Sequence, residues 1–408
     1  MHPRPRETKL LARRHQILNM VFREKQASRF ALARSLNINA SMVGSYVEEF
    51  LHDGLLVEDH SGPTRRGRAP VPLRLNPDYG CFLGLDFEAL RARAVLTDFA
   101  GAIVHQEEIA FPSGITRPCV LDRIVALAGE TAGHARGKRL LSVGIAAPGQ
   151  VDGLRGRVVH YRLLPDFSDV PIREHFEKAF AVPVFVEQNI RALTFAEMLR
   201  GAGQGQSHFL CLSVRSGVGL GIVIDRRIYA GADAMAGEVG YTVFPTSAGP
   251  RTLTELVSAK GIVGQALRAL KSAPATKARQ RLRAKGDNLA LTELVEAAEA
   301  GDALLQDLLK EAGHSLGLLA ANLANLFAPE KIVLAGEVPR CCPLLRDSLQ
   351  RAFRRHTLGR ILTTTYLDWG ALTGFAAALG AASLGFARTF PDDERLLALE
   401  GCDQRNAI

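Results

Sequence analysis

Apolar residues recur at helical spacing three times within the first 52 residues, and two short apolar runs follow. The predicted helices are 14–24, 29–36 and about 40–52, and the predicted strands are 54–58 and 71–75. Ser28 is placed to cap the second helix, and residues 37–39 form a turn-prone link to the third. The predicted inward side chains are Ile17, Leu18, Val21 and Phe22, then Phe30, Leu32 and Ala33, then Val43, Val47, Phe50 and Leu51. This order predicts a winged helix-turn-helix.

Basic side chains are concentrated in the same segment. Residues 1–75 hold 13 Lys and Arg against 7 Asp and Glu, a net charge of +6, whereas the whole 408-residue chain carries +8. The candidate DNA contacts are Asn39, Ser41 and Ser45 at the start of the third helix, and Arg65, Arg66 and Arg68 in the loop between the strands. Arginines on a loop tip meet phosphates or a minor groove, and small polar residues at the start of a recognition helix face base edges. The segment predicts binding to double-stranded DNA; a three-helix interaction module with a solvated basic loop is the alternative.

Strand and helix patterns alternate from residue 79 to 390. Three consecutive strands predicted within 82–109 recur from 209 onward, because Phe209–Leu212 repeats the pattern of Phe82–Leu85. Further strands are predicted at 141–147, 183–187 and 331–335, and helices at 117–135, 171–180, 189–201, 253–270, 289–300, 302–327, 343–355 and 371–386. Alternation with an internal repeat predicts an α/β protein with mixed sheets covered by helices, whose ligands bind at the carboxyl ends of the strands.

The second copy of the repeat carries a glycine-rich turn. Glycines at 217, 219 and 221 separate two apolar runs within the stretch Phe209–Tyr241. Without a Cβ, a glycine lets the backbone come close to a phosphate. The same spacing also fits a tight hairpin between two buried strands, so the glycines by themselves leave both interpretations open.

The composition narrows the class of protein. No apolar run reaches the ~18 residues that would indicate a membrane span, and the basic first thirty residues lack the apolar core of a signal peptide. The cysteines show no CxxC spacing. These features predict a reduced, cytoplasmic protein that binds no membrane, and residues 391–408 are expected to form a loose tail.

Several motifs resemble those of the ROK family, which comprises repressors, open reading frames and sugar kinases. The motifs are Gly67-Arg68-Ala69-Pro70, Leu73-Arg74-Leu75-Asn76, Val143 to Asp152, Gly231-Ala232, and Ala236 to Gly240. The resemblance covers nearly the whole chain. It implies an N-terminal winged helix followed by a duplicated actin-like ATPase domain, ribonuclease H-like, in two lobes. The implied domains are 1–78 for DNA binding, 79–190 for lobe 1, 191–390 for lobe 2 with a last helix able to pack back on lobe 1, and 391–408 for the tail.

The chain departs from the family's kinases at each catalytic motif. The kinases carry Asp-Ile-Gly-Gly-Thr after the first strand to hold ATP, whereas here Asp86 is followed by Phe87-Glu88-Ala89, which would crowd and repel phosphate. The second phosphate motif, Gly-Thr-Gly, is replaced by Arg215-Ser216-Gly217. Asn189 stands where the resemblance places the catalytic Asp, and an amide cannot accept a hydroxyl proton. The departures predict no catalytic residues and no enzyme activity.

The family's zinc site is also changed. Tyr241 stands in place of the zinc-binding His, and 244–251 contains no cysteine, so the sequence predicts neither a metal nor another cofactor. The remaining candidates for effector binding are Gln188, Asn189, Glu238 and Glu255. Amides and carboxylates at strand ends can pair with vicinal hydroxyls of a sugar. The alternative is that Glu238 and Glu255 are satisfied polar residues at a hinge.

The sequence therefore predicts a DNA-binding transcriptional regulator, a repressor of carbohydrate-related genes with a catalytically inactive sugar-kinase-like effector domain. The expected partners are a palindromic operator, a sugar effector and further copies of the chain, as a homodimer or a dimer of dimers. Two alternatives remain open. One is an active ATP-dependent sugar kinase with a fused DNA-binding head, and the other is a regulator switched by a partner protein.

Overall fold

The computed structural model describes residues 5–59, 71–112, 114–164 and 166–392. The chain divides into two compact units. Unit 1 comprises Met1–Ala192 and Ala377–Ile408, and unit 2 comprises Leu193–Ala376. Residues 377–390, which the sequence assigned to lobe 2 with the option of packing back on lobe 1, belong to unit 1.

Unit 1 begins with three helices and a two-stranded antiparallel sheet, here called the head. Its elements are α1 (Pro5–Glu24), α2 (Arg29–Leu36), α3 (Ala40–His52), β1 (Leu56–Glu58) and β2 (Leu73–Leu75). The Ser28 hydroxyl accepts a hydrogen bond from the Ala31 N–H, as predicted for the cap of α2. Asn37 ends α2 with a φ of 50°, a conformation that asparagine tolerates better than most residues. Arg65, Arg66 and Arg68 lie outside the described residues.

Phe30, a predicted core residue of the head, lies on the exposed side of α2. Leu32 of α2 is fully buried, but Phe30 is 72% exposed. Two residues along an α-helix correspond to a rotation of about 200°, so a short helix that buries Leu32 turns Phe30 towards solvent. The inward assignment of Phe30 was therefore wrong, whereas those of Val43, Val47 and Phe50 in α3 are confirmed.

The sheet of unit 1 has the strand order β10-β6-β3-β4-β5. Its strands are β3 (Cys81–Phe87), β4 (Arg91–Asp98), β5 (Ile103–Ala110), β6 (Leu140–Ala147) and β10 (Val184–Gln188). Strand β3 pairs antiparallel with β4 and parallel with β6, and β10 extends the parallel side. The helices are α4 (Arg117–Gly133), α5 (Ile172–Phe180) and the start of α6 (Asn189–Arg200). A second, three-stranded sheet that the sequence did not predict contains β7 (Gln150–Asp152), β8 (Arg157–His160) and β9 (Ser168–Val170).

Unit 2 repeats this sheet with the order β13-β12-β11-β16-β17. Its strands are β11 (Phe209–Val214), β12 (Val218–Ile224), β13 (Arg227–Ile228), β16 (Lys331–Ala335) and β17 (Tyr366–Trp369), with a small hairpin of β14 (Val243–Phe244) and β15 (Arg251–Thr252). Strand β11 pairs antiparallel with β12 and parallel with β16, as β3 does with β4 and β6. The predicted repeat is therefore confirmed, and β17 is an edge strand that the sequence did not predict.

Helices cover the sheet of unit 2. They are α7 (Leu253–Val257), α8 (Ala259–Ser272), α9 (Lys277–Lys285), α10 (Leu291–Glu299), α11 (Ala303–Phe327), α12 (Glu337–Cys341) and α13 (Pro343–His356). Helices α11 and α13 pack closely against each other at two glycines of α11. A Cβ on Gly313 or Gly317 would overlap the backbone of α13 at Leu345 or Leu349. None of the helices in the described part of the chain is long and apolar enough to cross a membrane.

The last helix, α14 (Ala376–Thr389), lies against the sheet of unit 1. A Cβ on Gly84 of β3 would overlap the carbonyl oxygen of Ala378, and one on Gly144 of β6 would overlap that of Ala381. Two neighbouring strands therefore use glycine so that the helix backbone can touch the sheet. This contact explains why residues that follow unit 2 in sequence belong to unit 1.

The far end of α14 contacts the head. The rings of Phe22 in α1 and Phe386 in α14 stack with their centroids 4.1 Å apart. The Asn19 amide donates to the Phe390 carbonyl at 2.7 Å, and Nδ1 of His15 lies 2.9 Å from the Pro391 carbonyl oxygen. Burial lowers the pKa of His15. Helix α14 thus connects the end of unit 2 in sequence with the first helix of the head.

Candidate functional site

The predicted base-reading residues lie on the exposed side of the start of α3. Asn39, Ser41 and Ser45 are exposed, whereas Val43, Tyr46 and Val47 of the same helix are buried. The Asn39 side-chain oxygen accepts a hydrogen bond from the Ser41 N–H at 2.8 Å and so caps α3. Asn39 therefore has a structural role, and its NH2 group is the part of the side chain that can donate to a base edge.

Ion pairs join the elements of the head. Arg29 of α2 contacts Glu48 of α3 at 2.8 Å and Glu58 of β1 at 2.9 Å, and Arg14 of α1 contacts Glu49 of α3 at 3.3 Å. These acidic residues lie in the second half of α3 and in β1. The start of α3 contains no acidic residue, as a surface that approaches phosphates requires.

The first phosphate motif of the kinases is replaced by a tight, filled turn. Phe87 is completely buried, and its ring centroid lies 5.7 Å from that of Phe167. The Glu88 N–H donates to the Arg91 carbonyl at 2.9 Å, and the Ala89 N–H donates to the Tyr161 hydroxyl at 3.2 Å. Asp86 and Glu88 are both buried. The N–H groups of Glu88 and Ala89 are thus bonded within the protein, and the turn has two buried carboxyl groups.

Gln188 belongs to a buried polar network at the carboxyl end of β10. Its Nε2 donates to the Gly149 carbonyl at 3.0 Å, and its Oε1 accepts from Arg191 at 2.9 Å. Arg191 also pairs with Glu187 at 2.6 Å and is almost fully buried. Both ends of the Gln188 amide are occupied, so effector binding by Gln188 would break an existing hydrogen bond. Sequence reasoning did not assign Arg191 a role, although its i,i+4 spacing from Glu187 was visible.

Asn189 follows directly as the first residue of α6 and is half-buried. Its amide stands at the carboxyl end of a parallel strand, the place where ligands bind in such sheets. Of the predicted effector candidates in unit 1, Asn189 is the better placed to contact a ligand, since Gln188 is committed to Gly149 and Arg191.

The glycine-rich turn of unit 2 is a hairpin. Val214 pairs with Val218, and the Arg215 N–H donates to the Gly217 carbonyl at 2.8 Å, which closes the turn between β11 and β12. A Cβ on Gly221 would overlap the Thr194 hydroxyl of α6, so this glycine serves helix packing. The hairpin interpretation of the stretch is confirmed, although open space remains beside Gly217.

Glu238 and Glu255 lie on two neighbouring segments of unit 2. The Thr254 hydroxyl donates to the Gly240 carbonyl at 3.0 Å, and the Leu253 N–H donates to the Thr242 carbonyl at 2.8 Å. Glu255 is exposed, and its Oε2 accepts from both the N–H and the hydroxyl of Thr252 at 2.8 Å in a capping box that starts α7. Glu238 is half-buried.

The segment that resembles the family's zinc site is an exposed hairpin. Tyr241 is 59% exposed and Val243 is 63% exposed, and β14 and β15 close the loop between them and α7. Within the described residues, no group of three or more His, Cys, Asp or Glu side chains is arranged to hold a metal ion.

Glu197 is a buried acid that the sequence analysis did not single out. It lies on α6 within unit 2, where Oε2 accepts from the Ala202 N–H at 2.7 Å and Oε1 accepts from the Leu372 N–H at 3.4 Å. Burial raises the pKa of its carboxyl. The available indication was a single charged residue in the mostly apolar stretch Ala192–Leu199. Its hydrogen bonds hold two loops to the helix, which indicates a structural role.

Comparisons with known proteins agree with this architecture. The ROK family profile matches residues 82–387, and the chain belongs to the ROK family. A putative xylose repressor from Caldicellulosiruptor sp. is 27% identical over 82% of this chain and 85% of its own length. A crystal structure of a ROK family transcriptional regulator, a homologue of the E. coli MLC protein, covers 97% of this chain and 100% of its own with a TM-score of 0.78 at 22% identity. A ROK family glucokinase from Streptomyces griseus, in complex with glucose and AMPPNP, covers 75% of this chain and 99% of its own with a TM-score of 0.64 at 27% identity.

Proposed function

We propose that this chain is a DNA-binding transcriptional regulator that represses carbohydrate-related genes. The proposal rests on how much of this chain each of two solved structures covers. The transcriptional regulator spans 97% of this chain, whereas the glucokinase spans 75% of it while using 99% of its own length. The quarter of this chain that the glucokinase lacks corresponds in size to the head and the adjacent segments.

We propose that the head is a winged helix-turn-helix. Helix α3 follows α2 after a short turn, and β1 pairs antiparallel with β2. We assign the wing to the segment between these two strands, whose sequence includes Arg65, Arg66 and Arg68. In this arrangement α3 enters the major groove and the wing contacts the backbone or the minor groove. We assign base contacts to Asn39, Ser41 and Ser45. Purified protein is expected to select from genomic fragments a palindromic site that it binds as a homodimer, with half-sites ~34 Å apart.

The actin-like domain that follows the head, residues 79–390, is proposed to be catalytically inactive. A neutral amide replaces the base at Asn189, and Glu88 is buried in the turn that replaces the first phosphate loop. Sugar phosphorylation requires a base to accept the hydroxyl proton and cationic or N–H groups to stabilise the transferred phosphate.

We expect no ADP release above background when the protein is incubated with ATP, Mg²⁺ and a panel of aldoses, in a coupled assay. The change Asn189→Asp is not expected to restore turnover, because the phosphate turns remain closed. Turnover in the unaltered protein that disappears in Asn189→Ala would instead support an active kinase with a fused head.

The effector is proposed to be a sugar read by Glu238, with Asn189 and Glu255 as further candidates. Glu238 lies in an intact family motif, and the neighbouring Gly237 is held to β12 by the hydrogen bond from the Leu220 N–H to its carbonyl at 2.9 Å. Since relatives are named for xylose and bind glucose, D-xylose and D-glucose are the first sugars to test. A sugar at 100 times its dissociation constant should stabilise the folded protein by about 2.7 kcal/mol.

We expect Glu238→Ala to keep its operator affinity and to lose both sugar-induced release and sugar-induced thermal stabilisation. Glu296→Ala, which removes the same charge from an exposed position on α10, serves as the control and should respond as the unaltered protein does. A Glu238→Ala protein that still responds fully would place the sugar elsewhere. If no sugar of the panel stabilises the unaltered protein, a partner protein becomes the better candidate for the switch.

A further inference from the structure

Two adjacent cysteines lie at the junction of α12 and α13 in unit 2. Their sulfur atoms are 3.6 Å apart, within hydrogen-bonding distance. Cys341 is partly exposed, whereas Cys342 is completely buried. Among the other cysteines, Cys119 on α4 is exposed and Cys81 and Cys211 are buried. The pair thus combines a partly exposed cysteine with a buried one whose sulfur is in contact with it.

We propose that Cys341 and Cys342 form a redox-sensitive dithiol that hydroperoxides oxidise to a vicinal disulfide. In the first step the Cys341 thiolate attacks one peroxide oxygen, the O–O bond breaks, and the leaving oxygen takes up a proton to become water or an alcohol. The product is a sulfenic acid on Cys341. In the second step the Cys342 sulfur attacks the Cys341 sulfur, the S–O bond breaks, and water leaves with the Cys342 proton. Two thiols are oxidised by two electrons and one peroxide is reduced.

The surroundings of the pair favour attack by Cys341. A hydrogen bond with the Cys342 thiol lowers the pKa of Cys341, whereas burial and the Glu337 carboxylate oppose this effect and the Arg340 cation adds to it. The same hydrogen bond and burial raise the pKa of Cys342. The nucleophilic thiolate is therefore expected on the partly exposed Cys341, and the resolving thiol on the buried Cys342.

Arg346 holds the peptide segment that oxidation would change. Its guanidinium donates to the carbonyl oxygens of Pro339 and Arg340 and lies 4.6 Å from the centre of the Trp369 ring. The following helix, α13, is fixed by its close contact with α11 at Gly313 and Gly317. Closure of the disulfide is therefore expected to displace the end of α12, which begins directly after Gly336 at the carboxyl end of β16.

The disulfide is expected to be easily reduced. Adjacent Cα atoms are about 3.8 Å apart, below the ~4.4–6.8 Å of ordinary disulfides, so the small ring stores strain. Strained disulfides have higher reduction potentials than structural ones and are the labile, regulatory kind. This property suits a reversible modification.

Native protein treated with a small excess of hydrogen peroxide, then denatured and alkylated, tests the proposal. Trypsin releases Cys341–Arg346 as one peptide that contains both cysteines. We expect this peptide to lose both alkylation sites, to be lighter than the reduced peptide by two hydrogen atoms, and to regain both sites after dithiothreitol. Cys119, an exposed thiol on the same molecule, should remain alkylated under these conditions.

Two variants complete the test. Cys342→Ser removes the resolving thiol but keeps a hydroxyl that can donate to the Cys341 sulfur, so Cys341 should accumulate as a sulfenic acid that dimedone traps, and Cys341→Ala should leave Cys342 reduced. A pair that stays fully alkylated while Cys119 reacts would overturn the proposal, as would sulfinic acid or an intermolecular disulfide as the main product at Cys341. The peptide from the unaltered protein decides the question even if a variant fails to fold.

Discussion

Replacing Arg65, Arg66 and Arg68 together with alanine is expected to weaken operator binding about 100-fold at 0.15 M salt. Each arginine that neutralises a phosphate releases counterions and contributes about −0.9 to the slope of log K against log salt, so the slope should decrease by about 2.7 in magnitude. Binding to unrelated DNA should weaken in parallel, because wing contacts with the backbone carry no sequence information. Fluorescence anisotropy titrations at four or five salt concentrations measure both quantities.

A variant with the same change in net charge is available as a control. Arg351, Arg354 and Arg355 are exposed on α13 in unit 2, and alanine maintains a helix well. Their replacement should leave the salt slope unchanged. If the triple variant at Arg65, Arg66 and Arg68 keeps its slope, or if the α13 variant loses as much affinity, the segment between β1 and β2 does not contact DNA.

Gly84→Ala and Gly144→Ala are each expected to destabilise unit 1 by about 3 kcal/mol or more. The added methyl group would overlap the backbone of α14 at Ala378 or Ala381, and a backbone carbonyl cannot turn aside as a flexible side chain can. Helix α14 would have to move away from the sheet. Urea denaturation followed by circular dichroism should show a lower midpoint for the affected transition.

Gly129→Ala is the matched control for these two variants. Gly129 lies in α4 of the same unit, and a Cβ there meets no atom within 4 Å. Alanine in the middle of a helix should leave stability unchanged or raise it by about 0.5–1 kcal/mol. Midpoints for Gly84→Ala and Gly144→Ala equal to that of the unaltered protein would mean that α14 does not lie on this sheet.

The same variants test the connection between the sheet and the head. Helix α14 reaches α1 through Phe386 and Phe22, so a displaced α14 should also lower operator affinity, although Gly84 is not one of the proposed DNA contacts. We expect the loss of affinity to appear below the temperature at which unit 1 unfolds. Unchanged affinity in a folded but destabilised Gly84→Ala protein would show that the head holds its position without α14.

Local patterns were sufficient to predict most helices and the core strands. The cap at Ser28, the bounds of α2 and α3, and the repeated strand triplet follow from side-chain periodicity and turn chemistry within a few residues. Short edge elements were missed, including β17 and the sheet of β7, β8 and β9. Strands of three or four residues show too few alternations of apolar and polar side chains to be distinguished from loops. They are recognised only from their hydrogen bonds to a neighbouring strand in the structure.

Assignment of individual side chains depended on contacts that sequence spacing does not reveal. Gln188 and Glu255 were selected for their chemistry, but in the structure Gln188 is bonded to Gly149 and Arg191, and Glu255 caps α7. Arg191 and Glu197 were not selected, although both are buried and hold neighbouring segments. The Thr252-x-x-Glu255 spacing of the capping box was visible in the sequence, whereas the Gln188–Gly149 hydrogen bond joins residues 39 apart and was not.

The sequence by itself determined the class of this protein. The basic head, the duplicated strands and the altered kinase motifs can each be recognised from residues that are consecutive in the chain. The tertiary structure alone decided which unit the last helix joins, which face of α2 is buried, and which of the two adjacent cysteines is buried. Those outcomes depend on close packing between segments far apart in sequence or on the geometry of a turn. Gly84 and Gly144 are explained only by the helix that packs against them, because its backbone occupies the space that a side chain would need.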